Sequence, residues 1–164
     1  MEQRRLEFLK LLTRVPDVTD VAYMAPDGCE KLRVSRLEID QVGECLKQRG
    51  DEQVFREPTP NQPYYGRVYF RKDTEPYMPI AVRSGGEKGA VAVAEVNLKF
   101  IWDVVTRIRI GEKGLVYVVD NAGYLIAHPD IGRVLQKYDM SQVPHVKRAL
   151  GSTGESDTVG VVRD

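Results

Sequence analysis

Leu6, Leu9 and Leu12 recur at intervals of three, with Phe8 and Leu11 widening the stripe, so Glu2 to Leu12 is predicted as an amphipathic helix that Pro16 stops. The pattern then changes. Val18 to Met24 is rich in β-formers, Ala25-Pro26-Asp27-Gly28 follows as a turn, and Leu32 and Val34 alternate with charges in Glu30 to Ser35. These pieces predict a hairpin. Leu37, Val42, Cys45 and Leu46 are read as the apolar positions of a helix from Leu37 to Arg49, ending at Gly50. Asp51 to Pro63 carries Pro58, Pro60 and Pro63 among polar residues and is expected to be a loop.

Three strands are predicted next. Tyr65 to Arg71 alternates, with Val68 and Phe70 on one side and Arg67, Tyr69 and Arg71 on the other. Tyr77 to Arg83 follows a charged turn, and Ser84 to Gly89 leads as a hairpin loop into Ala90 to Val96, an apolar run suited to a central strand. Asn97 is placed as a helix cap before Leu98, Ile101, Trp102, Val105 and Ile108, whose helical spacing predicts a helix to about Arg109. Trp102 shares that stripe and is expected to be a core anchor. Beyond Gly114 the pattern repeats in outline: Leu115 to Val119 as a strand, Asp120 to Gly123 as a turn, Tyr124 to His128 as the return strand. A polar stretch follows, then a helix over Ser141 to Leu150, a turn at Gly151 to Gly154, and the start of a strand at Thr158 to Val162. The turn glycines Gly28 and Gly123 thus mark two strand-turn-strand units.

Composition narrows the function. In 164 residues, 24 Lys and Arg balance 24 Asp and Glu, without the basic excess of a nucleic-acid binder. No apolar run reaches the ~20 residues of a membrane helix, and the charged N-terminus is unlike a signal peptide. The chain is therefore expected to be either cytosolic or a soluble piece of a longer protein. Cys29 and Cys45 form no Cys-x-x-Cys pair and have no histidine nearby in sequence, which argues against zinc and leaves a disulfide and free thiols equally open.

His128, one of two histidines, stands in the triplet His128-Pro129-Asp130. A catalytic dyad would need the imidazole against the Asp130 carboxylate. The chaperone-contacting tripeptide of a J-domain would need a helix before it, whereas YLIA reads as a strand. The remaining reading is a strand end, because proline cannot continue a ladder. No G-x-S-x-G, phosphate loop or H-E-x-x-H occurs, so no catalytic residue, metal site or cofactor is expected.

The segments GRVYFRKDTEPYMPIAV and AVAVAEVNLKFIWDVVTRIRIGEKGLVYVVDNAGYLIAHPDIGRVL resemble double Cache sensor domains. These are PAS-like extracytoplasmic input domains of bacterial histidine kinases, chemoreceptors and nucleotide cyclases. The resemblance covers roughly Val18 to Leu150. It implies an α+β fold: a PAS-like (Cache) antiparallel five-stranded sheet with flanking helices and an N-terminal helix, followed by a partial second PAS-like unit. Residues 1–110 would form the membrane-distal module with its connecting helix, and 111–164 the truncated start of the membrane-proximal module. The short first helix would be the remnant of a stalk, with membrane contact only through missing flanking helices. The resemblance further implies the periplasmic or extracellular part of an inner-membrane receptor, most readily a sensor histidine kinase, with an unknown small-molecule ligand and a homodimer as partners.

A PAS-like pocket places polar groups beside a long loop, and tyrosine suits its wall. Tyr64, Tyr65, Tyr69 and Tyr77 flank the expected loop, and Arg67, Arg71 and Arg83 are candidates to hold a carboxylate. Glu95, near the end of the apolar strand, would bind an amine or pair with an arginine. The candidate ligand-binding set is therefore Tyr65, Tyr69, Arg71, Tyr77, Arg83 and Glu95, with Tyr69, Arg71 and Tyr77 foremost because the strand pair brings them close. The signature of the amino-acid-binding members is not evident. The competing reading is a dimerisation module whose interior is filled by its own side chains.

Overall fold

The computed structural model describes residues 1–72, 74–108 and 114–151. The chain forms two compact units, Met1–Leu98 and Lys99–Asp164. The first contains α1 (Glu2–Arg14), β1 (Val18–Met24), β2 (Cys29–Ser35), β3 (Gln41–Gln48), α2 (Gln53–Arg56), β4 (Tyr64–Tyr65), β5 (Tyr69–Arg71), β6 (Glu75–Ser84) and β7 (Ala90–Asn97). All its strands join one antiparallel sheet, in the order β3-β2-β1-β7-β6-β4, with β5 also on β6. The sheet thus has seven strands where five were expected.

Two local facts account for the difference. The expected strand Tyr65 to Arg71 is split by Gly66, whose amide donates to Pro79 O at 2.8 Å and whose Cα has no room for a side chain, a Cβ there falling 2.5 Å from Pro79 Cγ. The other is a correction: Leu37 to Arg49 is not a helix. Gln41–Gln48 pairs with β2, Leu32 opposite Val42 and Glu30 opposite Lys47, with an irregular stretch between. The spaced apolar residues that implied a helix bury no stripe, for Leu37, Val42 and Leu46 are exposed. Helical periodicity without a surface to bury it against does not stabilise a helix. A covalent tie decides the matter: Cys45 is disulfide-bonded to Cys29 on β2, with Cα atoms 5.1 Å apart.

The two faces of the sheet differ. On one, Val21, Leu32 and Val34 pack with Val18 and Leu12, supported by Phe8 and Leu9, so α1 covers this side. Tyr23 contributes to the same cluster and takes the Arg4 guanidinium over its ring at 3.7 Å. On the other, Met24, Ala81, Val91 and Val93 pack with Val54, Phe55 and Tyr64, so the segment around α2 covers one end. The expected loop Asp51 to Pro63 accordingly holds one helical turn and a Thr59–Gln62 bridge. Gly28 closes the β1–β2 turn at φ 80°, where a Cβ would lie 2.5 Å from Gly50 Cα, so both conformation and space require glycine.

The second unit contains α3 (Lys99–Arg107), β8 (Val118–Val119), β9 (Leu125–Ala127), α4 (Ile131–Leu135) and α5 (Pro144–Gly151). β8 and β9 pair antiparallel across the turn at Asp120 to Gly123. The Asp120 carboxylate accepts from the amides of Ala122 and Tyr124, both at 2.9 Å, and Gly123 adopts φ 90°. Leu125, Ile126 and Ala127 are buried. Trp102 anchors α3 to this hairpin, its indole N–H donating to Ile126 O at 2.6 Å. Asn97 is the last residue of β7, and its side-chain amide donates to the Tyr77 hydroxyl at 3.1 Å. Arg109, the turn at Gly151 to Gly154 beyond its first residue, and the strand expected at Thr158 to Val162 lie outside the described residues. Among the described residues, no helix is long and apolar enough to cross a membrane.

Candidate functional site

The face of the sheet that α1 leaves uncovered is apolar at the Met24–Val91–Ala81 end and polar toward the middle. The register builds this polar band. Asp20 on β1 is opposite Ser35 on β2 and Glu95 on β7; Glu95 is opposite Pro79 on β6; Tyr77, two residues before Pro79, is opposite Tyr69 on β5. Because strand residues two apart share a face, Arg71 joins Tyr69. A carboxylate from each of the two central strands thus meets Tyr77 from β6 and Tyr69 and Arg71 from the edge strand β5.

The contacts are specific. Arg71 Nη1 lies 3.0 Å from Asp20 Oδ2, and its Cζ stands 4.4 Å above the Tyr77 ring centroid. Tyr69 OH donates to Glu95 Oε2 at 2.9 Å, and the Tyr69 and Tyr77 rings are 6.0 Å apart in a tilted arrangement. Asp20 also accepts from the Thr19 hydroxyl and the Ser35 hydroxyl, each at 2.7 Å. Burial alone would raise the Asp20 carboxyl, but these hydroxyls and Arg71 together hold it below its ordinary value. Glu95 moves the other way: burial raises it, and Tyr69, Arg71 and Arg49 offset this only in part. The Tyr69 phenol is pushed up to about 12, by burial first and then by the neighbouring Glu95 charge.

A second charged group adjoins the first. Glu30, on the same sheet and buried, accepts from Arg33 at 2.8 and 3.1 Å and from Arg49 at 2.8 Å, while Arg49 also pairs with Glu52 at 2.8 Å. Burial would raise Glu30, yet the two guanidinium groups hold it down.

Of the candidate residues read from the sequence, the structure brings together Tyr69, Arg71, Tyr77 and Glu95. Tyr65 and Arg83 stand apart. Tyr65 pairs with Ile80 and is exposed. The Arg83 guanidinium donates to the carbonyls of Pro58 at 2.9 Å and Gly89 at 2.8 Å, and to that of Phe55, while lying 4.9 Å from the Phe55 ring centroid. It fastens the α2 segment to the sheet. Tyr64 packs into the same apolar end and donates to Gln53 Oε1 at 3.1 Å. Asp20 and Glu30 were missed by the sequence reading. The signal was present: a carboxylate inside VTDVAYM, a strand otherwise buried except for the half-buried Tyr23, requires built partners.

In the second unit, His128 Nδ1 accepts from the Asp130 backbone N–H at 2.8 Å, and the Asp130 carboxylate accepts from the Gly132 N–H at 3.0 Å, capping α4. The imidazole therefore meets the Asp130 main chain. His-Pro-Asp is a strand end leading into a helix cap.

No family model matches the sequence, and no curated protein matches it. Among solved structures, the extracellular domain of the putative histidine kinase mmHK1S-Z2 is similar at TM-score 0.71 and 17% identity, covering 91% of this chain and 65% of that one. The sensory domain of the Campylobacter jejuni chemoreceptor Tlp3 aligns at TM-score 0.62 and 12% identity, over 86% of this chain and 57% of that one. The ligand-binding domain of the Pseudomonas aeruginosa PAO1 amino-acid chemoreceptor PctC, in complex with GABA, aligns at 0.54 and 15%, over 77% and 55%. The chain spans less than two thirds of the length of these structures. Its fold is the Cache-like fold of extracellular sensor domains from histidine kinases and chemoreceptors.

Proposed function

We propose that this chain is the ligand-sensing part of a bacterial transmembrane receptor, and that the band of Asp20, Glu95, Tyr69, Arg71 and Tyr77 is where a small molecule binds. The observation that carries the reading is the buried Asp20 carboxylate beside the half-buried Glu95 carboxylate on the two central strands of a sheet face whose other end is a hydrophobic core. A charge in a sheet centre costs stability unless it is paired and hydrogen-bonded, and clusters of titratable groups with perturbed protonation gather at functional sites. The fold is consistent with the role, and the relatives that share it include chemoreceptor domains bound to GABA and to isoleucine. The ligand has polar groups that exchange with the internal pairs: an amine for Asp20 or Glu95, an acceptor for Arg71.

In the receptor, the chain lies on the outer side of the inner membrane. Binding biases one of two arrangements of the sensor, passed through α1 and a homodimer to a cytoplasmic output domain, most readily a histidine kinase. The test is a thermal-shift screen of small carboxylates, amines and sugars against the wild type and an Asp20→Asn variant. A ligand that raises the wild-type melting temperature and leaves the variant unmoved supports the reading. A screen in which nothing shifts the wild type favours a module filled by its own side chains.

A further inference from the structure

Arg71 is seated as a bound cation would be. Its guanidinium has the Tyr77 ring beneath it at 4.4 Å and Asp20 beside it at 3.0 Å, with Glu95 close enough to be stabilised by its charge. An aromatic face with carboxylates at its rim is the arrangement that receives organic cations. The carboxylates come from the central strands β1 and β7, whereas Arg71 comes from β5. That strand has three residues, joins the sheet through β6, and runs into Lys72 at φ 49°. The receiving carboxylates therefore sit on the two central strands, the ring on the adjoining β6, and the occupant on a short strand at the sheet's edge.

We propose that Arg71 is a tethered occupant of this position, and that a ligand bearing a guanidinium or ammonium group enters by displacing it. The inference rests on reading the band as a ligand site. Displacement converts binding into movement: the ligand takes over Asp20 and the Tyr77 face, Arg71 leaves with β5, and the edge of the sheet changes shape. The tether also sets the affinity. While Arg71 occupies the position, only the fraction of molecules with the arginine out is competent to bind, and apparent affinity falls by that fraction.

The test uses methylguanidinium at non-denaturing concentrations, followed by calorimetry and by melting temperature, on the wild type, Arg71→Gln, and Arg71→Gln combined with Asp20→Asn. The expected result is binding at least about tenfold tighter to Arg71→Gln than to the wild type, a rise in the melting temperature of the single variant, and loss of both effects in the double variant. Should the Gln variant not fold, Arg71→Lys carries the same test, because an ammonium still balances Asp20 but does not lie flat on Tyr77. Equal or weaker binding to the Arg71 variant, or an unchanged gain in the double variant, overturns the proposal. A screened small molecule that binds the wild type and is weakened by Arg71→Gln also overturns it, while leaving ligand sensing at this face intact. No ligand for the wild type and no cation binding to the variant would end both readings.

Discussion

Asp20 and Glu95 are register partners across β1 and β7, so two carboxylates stand side by side on one face of the sheet. Like charges directly opposite in a sheet are unfavourable, by roughly 0.2–1 kcal/mol for an exposed pair. The protein resolves the conflict unequally. Asp20 takes the Arg71 guanidinium and two hydroxyls and stays ionised, whereas Glu95 has the Tyr69 hydroxyl and is pushed toward protonation. One sheet position is thus a firm anion, and its neighbour gives up its proton less readily.

Glu95→Gln tests this division through pH. The folded-state value of Glu95 is raised above its ordinary 4.5. Its proton therefore favours the folded state, and the native protein loses stability as pH rises from 4.5 through the raised value. Glutamine keeps the acceptor for Tyr69 and has no charge to lose. Melting temperature followed from pH 4 to pH 8, a range of about four units around that window, should fall more steeply for the wild type than for Glu95→Gln. The variant should become relatively more stable as pH increases, and parallel curves would contradict the account.

Asp20→Asn has the opposite signature. The Asp20 value is depressed below 3.8, so its stabilising contribution is present above 3.8 and is lost as pH falls through the lower folded value. Asparagine keeps the shape but leaves Arg71 without its anion. The expected cost is about 2 kcal/mol at neutral pH, lower than for a fully buried pair because Arg71 is partly exposed. Denaturant unfolding at pH 7 and in acid measures it: the deficit should shrink on acidification.

Tyr69 offers a spectroscopic test. Its phenol is pushed to about 12, so it stays protonated above the ordinary phenol value of 10, and its stabilising contribution is present below 10 and lost as pH rises toward 12. In an ultraviolet titration of the folded protein, Tyr69→Phe should remove a late-ionising component and leave the early ones unchanged. A variant that loses an early component instead would place the high-value phenol elsewhere.

The sequence carried the architecture further than the site. The hairpin of Val18 to Ser35 was legible because Gly28 fixes its turn and alternation fixes its inner face. The close grouping of Tyr69, Arg71 and Tyr77 followed from one antiparallel pairing. β3 was misread because spacing alone does not say whether a surface exists to bury the stripe, and the partner of Cys45 sits across a strand boundary. Arg83 is a ligand candidate in the sequence because arginines on alternate positions look alike there. Only the tertiary path of the Phe55–Pro58 segment reveals that carbonyls claim it. In the sequence Asp20 looks like one polar residue in a strand, although its burial is what organises the candidate band.

The Cys29–Cys45 bond spans a sequence separation of 16 residues and ties the exposed strand β3 to β2. Chain-entropy arguments assign a loop of that size a stabilisation of about 3 kcal/mol. Replacing both cysteines by serine should lower stability by about that amount, and the double variant should no longer respond to a reducing agent that destabilises the wild type. Equal sensitivity to reductant in the two proteins would mean that the bond contributes nothing to the folded state.

Arg83 should act on the loop rather than on ligand. Its guanidinium holds the carbonyls of Phe55 and Pro58 and bridges to Gly89, so Arg83→Ala leaves three acceptors without their charged donor. Charge-assisted hydrogen bonds to partly buried acceptors are worth about 1.5–3 kcal/mol in total effect when one partner is removed. The loss should be local: faster amide exchange and proteolysis between Gln53 and Pro63, with β1 and β7 protected as before. Arg83→Lys should recover little, because a single ammonium does not reach three separated carbonyls in a fixed fork. If Arg83→Ala leaves exchange in that segment unchanged while weakening a ligand found by the thermal screen, Arg83 belongs to the binding band after all.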